Sequence, residues 1–426
     1  MYYLKIWRLA WPLILSNITV PLLGIVDIAV IGHQHNAALI ASIAIGSMLF
    51  DSLFLLFGFL RMSTTGLVAQ NPKDNTILQR SLMLAMVLAS LIIFFQTSLY
   101  QCAIYVINPK HSIQNLLSLY FHYRIYATVP TLLNYVILGY FFGRQNTRSP
   151  LVLLLVINTS AILLDLLFVT YGGLGLKGLA IANVVAQSLG MMLGLFLIEK
   201  NYSPFRLNFS PIFNVSDIKK LFHLNKDIFI RTLCLLSTFA YFTYSGSTLG
   251  VNTVAANGIL LSMHHFVSYA LDGFAIACEA LIGQALSRHN KKDFILISKQ
   301  CGHFSFLVAS IFSLIFYCFG SALLKVITNT ASVLTQAQLY LPWLVVLPLL
   351  SAGSYVLDGI FIGATWSQSM RNTMLFTTIG IFFPLTHLLS HWQNNGLWLA
   401  FSLFMCGRGL SLLWALKKKL DHGLVK

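Results

Sequence analysis

The chain has 426 residues, of which 57% are hydrophobic and 9% charged, and its formal net charge is +15. A soluble domain carries about 25% charged residues, so the composition excludes a soluble globular protein and points to an integral membrane protein. The basic residues lie in short loops between apolar runs, and no nucleic-acid-binding module is present, so the charge is a signal of membrane topology.

A membrane-crossing helix needs about 20 apolar residues. Twelve are expected, at roughly 8–32, 38–69, 81–106, 116–142, 150–171, 178–199, 228–249, 254–285, 301–323, 334–364, 372–390 and 396–416. The first run lacks a small-residue cleavage site and reads as an uncleaved span. The second, eighth and tenth are long for the hydrocarbon core and are expected to tilt, bend or project beyond it.

The first span holds Pro12, Asn17, Pro21 and Asp27. Neither proline can donate to the carbonyl four residues back, so the helix is predisposed to bend at two levels. Pro12, Pro21 and Asn17 are therefore hinge candidates. An ionisable side chain at membrane depth costs about 2.5–3.5 kcal/mol on insertion scales. Asp27 reads either as an ion-coupling carboxylate or as a structural group stapling the kink.

Asp51 lies mid-way along the second span. Arg61, ten residues on, is roughly 15 Å further along the helix, so the two are not expected to pair; Arg61 is expected to snorkel towards the cytoplasm. In the fifth span Asn158 and Asp165 are seven residues apart and point the same way. The sixth span runs back, which brings Asn183 to a depth similar to Asp165, with Gln187 one turn on. These four form either a polar patch beside Asp27 or a structural hydrogen-bond cluster. In the eighth span His265, Asp272 and Glu279 recur at seven-residue spacing, flanked by Ser268 and Tyr269, and read as a stripe lining a cleft or relaying protons. His264 and His265 are adjacent and point apart, so they are not read as a metal pair. Asp358, in the tenth span, is expected to cap a helix or pair with Arg371. Arg408, deep in the last span, needs a partner that the sequence does not identify.

Basic residues alternate between loops. One side carries Lys5, Arg8, Lys73, Arg80, Arg144, Arg148 and many more; the other offers only Lys110, Lys177 and Lys325. The positive-inside rule places both termini in the cytoplasm. The chain also repeats itself: Tyr135-Val-Ile-Leu-Gly-Tyr-Phe-Phe-Gly143 recurs as Tyr355-Val-Leu-Asp-Gly-Ile-Phe-Ile-Gly363, and Gly58-Phe59 echoes as Gly273-Phe274. Both halves start on the same side, so the repeats are parallel. The expected organisation is an N-lobe over 1–200, a cytoplasmic linker over 201–227 and a C-lobe over 228–426, with a cleft between the lobes suited to alternating access.

There is no GxxxxGK[ST], no GxSxG and no HExxH, so direct use of ATP and hydrolytic catalysis are not supported. The six cysteines form no CxxC or Cys/His cluster and read as small buried hydrophobes. No cofactor and no metal are expected.

Long motifs carry a family resemblance. Ser16 to His33 is similar to the first helix of the DNA-damage-inducible F (DinF) branch of the multidrug and toxic compound extrusion (MATE) transporters. Phe59 to Gln70, Ala270 to Phe274, Glu279-Ala, Gly283 to Ala285, Leu357 to Ala364 and Met370 to Asn372 match further along. The resemblance implies an all-α polytopic protein of twelve transmembrane helices in two six-helix lobes, V-shaped. It also implies export of cationic or amphipathic compounds against inward H+ or Na+. Asp27 matches the first-helix aspartate whose protonation is tied to bending, Pro12 the proline of that bend, and Asp165 the fifth-helix aspartate of the same site. Ala161 stands where many relatives have Asn, and Asn183 where a Thr is usual, which favours H+ over Na+.

The expected function is thus an H+-coupled multidrug antiporter. It is expected to be a monomer in a bacterial inner membrane, with Asp27, Asp165, Asn183 and Asn158 coupling the ion. Asp51, His265, Tyr269, Asp272, Glu279 and Asp358 are the cleft candidates. A lipid-linked oligosaccharide flippase is the alternative, kept open by Arg124 and Arg408. A membrane-embedded transferase would need a converged nucleophile, acid or metal set that the sequence does not offer.

Overall fold

Within lipid a peptide group finds no water, so an apolar run must satisfy its own backbone as helix. The computed structural model describes residues 2–15, 37–107, 111–202, 215–328 and 330–422, and among them there is no strand. The helices are α1 (3–15), α2 (Ala37–Leu56), α3 (Phe59–Gln70), α4 (Thr76–Phe94), α5 (Gln96–Ile107), α6 (His111–Arg124), α7 (Thr128–Gly143), α8 (Arg148–Asp165) and α9 (Gly175–Tyr202). They continue as α10 (Val215–Thr248), α11 (Val251–Ser287), α12 (Lys291–Ile327), α13 (Ala331–Gly363), α14 (Ser367–Leu375), α15 (Phe383–Leu388) and α16 (Gln393–Asp421). Among the described residues ten helical stretches are long and apolar enough to cross a membrane, matching the expected second to tenth and twelfth spans. The eleventh is α14 and α15 joined through a π-helical stretch, Phe376–Phe382. The first begins with α1, and its remainder, with Asn17, Pro21 and Asp27, lies outside the described residues.

The expected bend of the second span falls at Phe57-Gly58. There the N–H groups of Phe57 and Gly58 reach three residues back, to Phe54 and Leu55, at 3.0 and 3.1 Å, and this tighter turn separates α2 from α3. The eighth span is unbroken: α11 runs 37 residues, about 55 Å at 1.5 Å per residue, and so exceeds the hydrocarbon core. The tenth, α13, keeps Pro342 and Pro348 inside one continuous helix. Serines of α12 support it from the side, Ser313 donating to the Val345 carbonyl and Ser305 to that of Ala352.

The chain divides into two compact units. One comprises Leu15–Val68 and Pro72–Leu221; the other comprises Met1–Ile14, Ala69–Asn71 and Phe222–Lys426. The first fourteen residues therefore group with the C-terminal half, unlike the expected N-lobe over 1–200. The reason is local packing. Gly273 of α11 has no side chain, and a Cβ there would lie 2.4 Å from Ile14 Cγ1 and 3.2 Å from the Ala10 carbonyl. Trp7 packs against the stacked pair Phe274 and Phe304, 6.2 Å from each, and Tyr3 bonds His303 at 2.8 Å. At the extreme end, burial and the Asp293 carboxylate push the Tyr2 phenol above its ordinary value.

Part of the expected linker over 201–227 is also helix. α9 ends at Tyr202, residues 203–214 lie outside the described residues, and α10 already begins at Val215. Leu221, Leu224 and Ile228 are buried while Lys219, Lys220 and Lys226 are exposed. That three-to-four spacing makes an amphipathic helix of what composition alone reads as a basic loop.

The internal repeat has a packing explanation. In the first unit, Cβ atoms at Gly139 and Gly143 would lie 2.5 Å from the Arg61 carbonyl and 2.7 Å from Val68 Cβ, so α7 lies directly on α3. In the second, Cβ atoms at Gly359 and Gly363 would each lie 2.3 Å from a backbone oxygen, of Ala275 and of Glu279, so α13 lies directly on α11. Each half thus uses a small residue every fourth position to bring two backbones together. Gly359→Ala is expected to force that crossing apart, at about 1–3 kcal/mol for overpacking. Gly258→Ala, where a Cβ meets nothing within 4 Å, should not destabilise. Thermal melting of the two purified variants checks this, and equal midpoints would refute it.

Candidate functional site

In the first unit α8 and α9 run antiparallel, and glycines fix their register. Gly194 faces Leu153, Gly190 faces Ile157 and Gly178 faces Phe168; Cβ atoms at these glycines would lie 2.8, 2.4 and 3.1 Å from those side chains. Counting between these contacts sets Asp165 level with Ile181 and Ala182, one to two residues from Asn183, and Ala161 level with Ala186. Asp165 is fully buried, Asn183 is 3% exposed and Asn158 8%. Asn183 Nδ2 donates to the Leu179 carbonyl at 3.2 Å, which leaves its carbonyl oxygen outside that bond. Asp165 is the last α-helical residue before a π-helical stretch, Leu166–Tyr171. Such stretches are common at functional sites because the backbone ladder is locally loosened there.

One member of this region escapes sequence reasoning. Asn134 of α7 is 2% exposed and its Nδ2 donates to both the backbone oxygen and Oε1 of Gln187, at 2.9 and 3.0 Å. It takes up Gln187, which the sequence assigns to the patch around Asp165. Asp51 is exposed on α2. Arg61 does not simply snorkel: its guanidinium lies over the Phe142 ring at 5.9 Å and Nη1 is buried. Arg124 lies over Phe50 and Tyr120, at 5.7 Å from each ring.

In the second unit the expected stripe on α11 is graded. His265 is exposed beside Phe239, Tyr269 and Asp272 are half-buried, and Glu279 is 2% exposed. His264 is fully buried against Phe401, so the adjacent histidines do point apart. Among the described residues no group of three or more His, Cys, Asp or Glu could hold a metal. Ser268 and Tyr355 share a hydrogen bond between α11 and α13.

The structure corrects the expected partner of Asp358. It pairs not with Arg371 but with two buried arginines: Arg231 of α10, and Arg408 of α16 at 2.8 Å. Arg371 instead pairs with Asp227 of α10 at 2.6 Å, and Asp227 also accepts from Ser367 Oγ at 2.9 Å. Arg408 thereby gains the partner that the sequence withheld. Asp227 and Arg231 are four residues apart on α10 and share one face; reading residues up to 227 as a loop hid that spacing. A second buried cluster went unread, in which Asn257 and Asn394 exchange amide hydrogen bonds at 2.7 and 2.9 Å and Trp398 Nε1 donates to Asn257 at 2.9 Å.

The sequence pattern of the MatE family matches residues 12–167 and 228–388. The chain belongs to the MATE family. This transporter is 35% identical over 416 residues to DNA damage-inducible protein F of Escherichia coli (strain K12), covering 96% of this chain and 90% of that one. It is 21% identical to the probable multidrug resistance protein NorM of Photorhabdus laumondii, covering 89% and 86%. Its fold is that of the Vibrio cholerae MATE transporter VcmN in the bent form, with a TM-score of 0.89 at 17% identity over 99% and 97% of the two chains. Family and fold are those of MATE transporters.

Proposed function

We propose that this MATE transporter is a secondary antiporter that exports cationic or amphipathic small molecules in exchange for H+. Asp27 and Asp165 form its ion-coupling site, Asn158 and Asn183 line it, and protonation of Asp27 drives rearrangement of the first helix around Pro12, Asn17 and Pro21. The observation that carries this reading is Asp165, fully buried and within one or two residues of the depth of Asn183. A carboxylate that is withdrawn from water in one state of a carrier and reached by it in another binds a proton in the first and releases it in the second. Ala161, buried on the same helix, offers a methyl where a coordinating amide would serve Na+, so the site suits a proton better. The relatives named for multidrug resistance support the substrate class. Both termini lie in the cytoplasm and the protein in a bacterial inner membrane, a reading that its basic loops and its bacterial relatives support; it works as a monomer.

The flippase alternative asks for a free cationic lining. Arg408 no longer offers one, because Asp358 meets its charge. The deciding experiment is ethidium transport in proteoliposomes under separately imposed gradients. A pH gradient should drive uptake and a Na+ gradient at constant pH should not; the opposite pattern would transfer the coupling to Na+.

A further inference from the structure

A groove runs along the surface of the second unit between α12, α13 and α16, with a volume of ≈ 470 Å³. Its walls are apolar. Phe306 is 50% exposed and Leu410 62%, so they face the surroundings rather than a protein core. Ser298 spends its hydroxyl on the Phe294 carbonyl at 2.8 Å. The floor is made by glycines, and a Cβ added at Gly302 or Gly353 would meet no atom within 4 Å. These glycines are not required by packing within the chain, and a helix-interior glycine costs about 0.5–1 kcal/mol relative to alanine. What they provide is space.

The charge at the groove is of one sign. Lys299 lines it, is exposed, and makes no ion pair among the described residues. On α12 the lining reaches from Phe294 to Phe306, about 18 Å of helix, against roughly 15 Å for one leaflet's half of the hydrocarbon core. An apolar slot open to lipid stays dry, and left empty it forfeits dispersion contacts along its whole length. We infer that the groove binds one acyl chain of an anionic phospholipid of the cytoplasmic leaflet, with Lys299 reaching along the wall to the headgroup phosphate. The leaflet rests on the orientation read from the basic loops; the occupancy does not.

The test is native mass spectrometry of the full-length protein with dioleoyl phosphatidylglycerol or dioleoyl phosphatidylcholine. The wild type should retain one tightly held lipid, with the glycerol headgroup favoured about fivefold, the effect of one basic group near an anionic surface. Gly353→Leu fills the groove and should abolish that retention, whereas Gly353→Ala should keep it. Lys299→Gln should erase the headgroup preference while the chain is still held. Retention by Gly353→Leu equal to the wild type would overturn the site, and an unchanged preference in Lys299→Gln would overturn the headgroup assignment. Should Gly353→Leu fail to fold, Gly302→Leu on the neighbouring helix gives the same reading. Labelling of Lys299→Cys by an impermeant maleimide from the cytoplasmic face supports the leaflet, and labelling from the opposite face alone overturns it. None of these readouts involves transport, so failure of the antiport reading leaves them unchanged.

Discussion

Asp358→Leu is expected to destabilise the transporter by about 3–5 kcal/mol, the cost of removing one partner from a buried ion pair. The carboxylate serves two guanidinium groups at once, from Arg231 and Arg408, and those side chains are 7% and 4% exposed. Removing it leaves two buried cations close together, each desolvated and neither compensated. Among the described residues Arg408 retains a contact to the Met405 sulfur at 3.3 Å and the Phe404 ring, and these cannot replace a charge. Replacing all three residues together, as Arg231→Met, Asp358→Leu and Arg408→Met, should restore most of the loss, because a buried triad exchanged for apolar groups is often neutral or better. Thermal melting in detergent of the wild type, Asp358→Leu and the triple variant measures both effects. A single variant as stable as the wild type would show that the triad contributes nothing.

Asp165→Asn should fold as the wild type does and lose pH-driven export, as should Asp27→Asn. The amide is nearly isosteric, and it removes a fully buried ionisable group whose desolvation the fold otherwise bears. Coupling is a free-energy difference: the proton must favour one state of the carrier over the other. A group that cannot bind a proton contributes nothing to that difference. Export driven by a pH gradient should therefore fall to background, while ethidium binding at fixed pH persists. Normal pH-driven export from either variant in proteoliposomes would refute its role in coupling.

Periodicity made the span pattern legible, since twenty apolar residues in lipid have one stable solution. It also made the depth of Asn183 relative to Asp165 legible to within one or two residues, because a short connection forces two neighbouring helices to run antiparallel. The Asp358 triad was not, because its members lie on three helices far apart in the chain, and no local rule reports which faces meet. The expected pairing with Arg371 failed for a nearer reason. Sequence proximity favoured it, while the true partner, Asp227, sat in a segment whose lysines disguised a helix. Asn134 was missed because one amide in an apolar span gives no pattern; only its position beside Gln187 shows its use. The hinge residues Asn17 and Pro21 and the carboxylate Asp27 lie outside the described residues, so transport measurements must decide their roles.

The glycine crossings have a mechanical corollary. In α13, Pro348 precedes Gly359 and Gly363 within one helix. The helix is clamped backbone-to-backbone at one end and lacks a hydrogen-bond donor further along. It is a lever with a fixed fulcrum and a compliant joint. Motion in that half can then be taken up at the proline while the clamped crossing stays intact, so a conformational cycle need not dismantle the tightest contacts that hold it together.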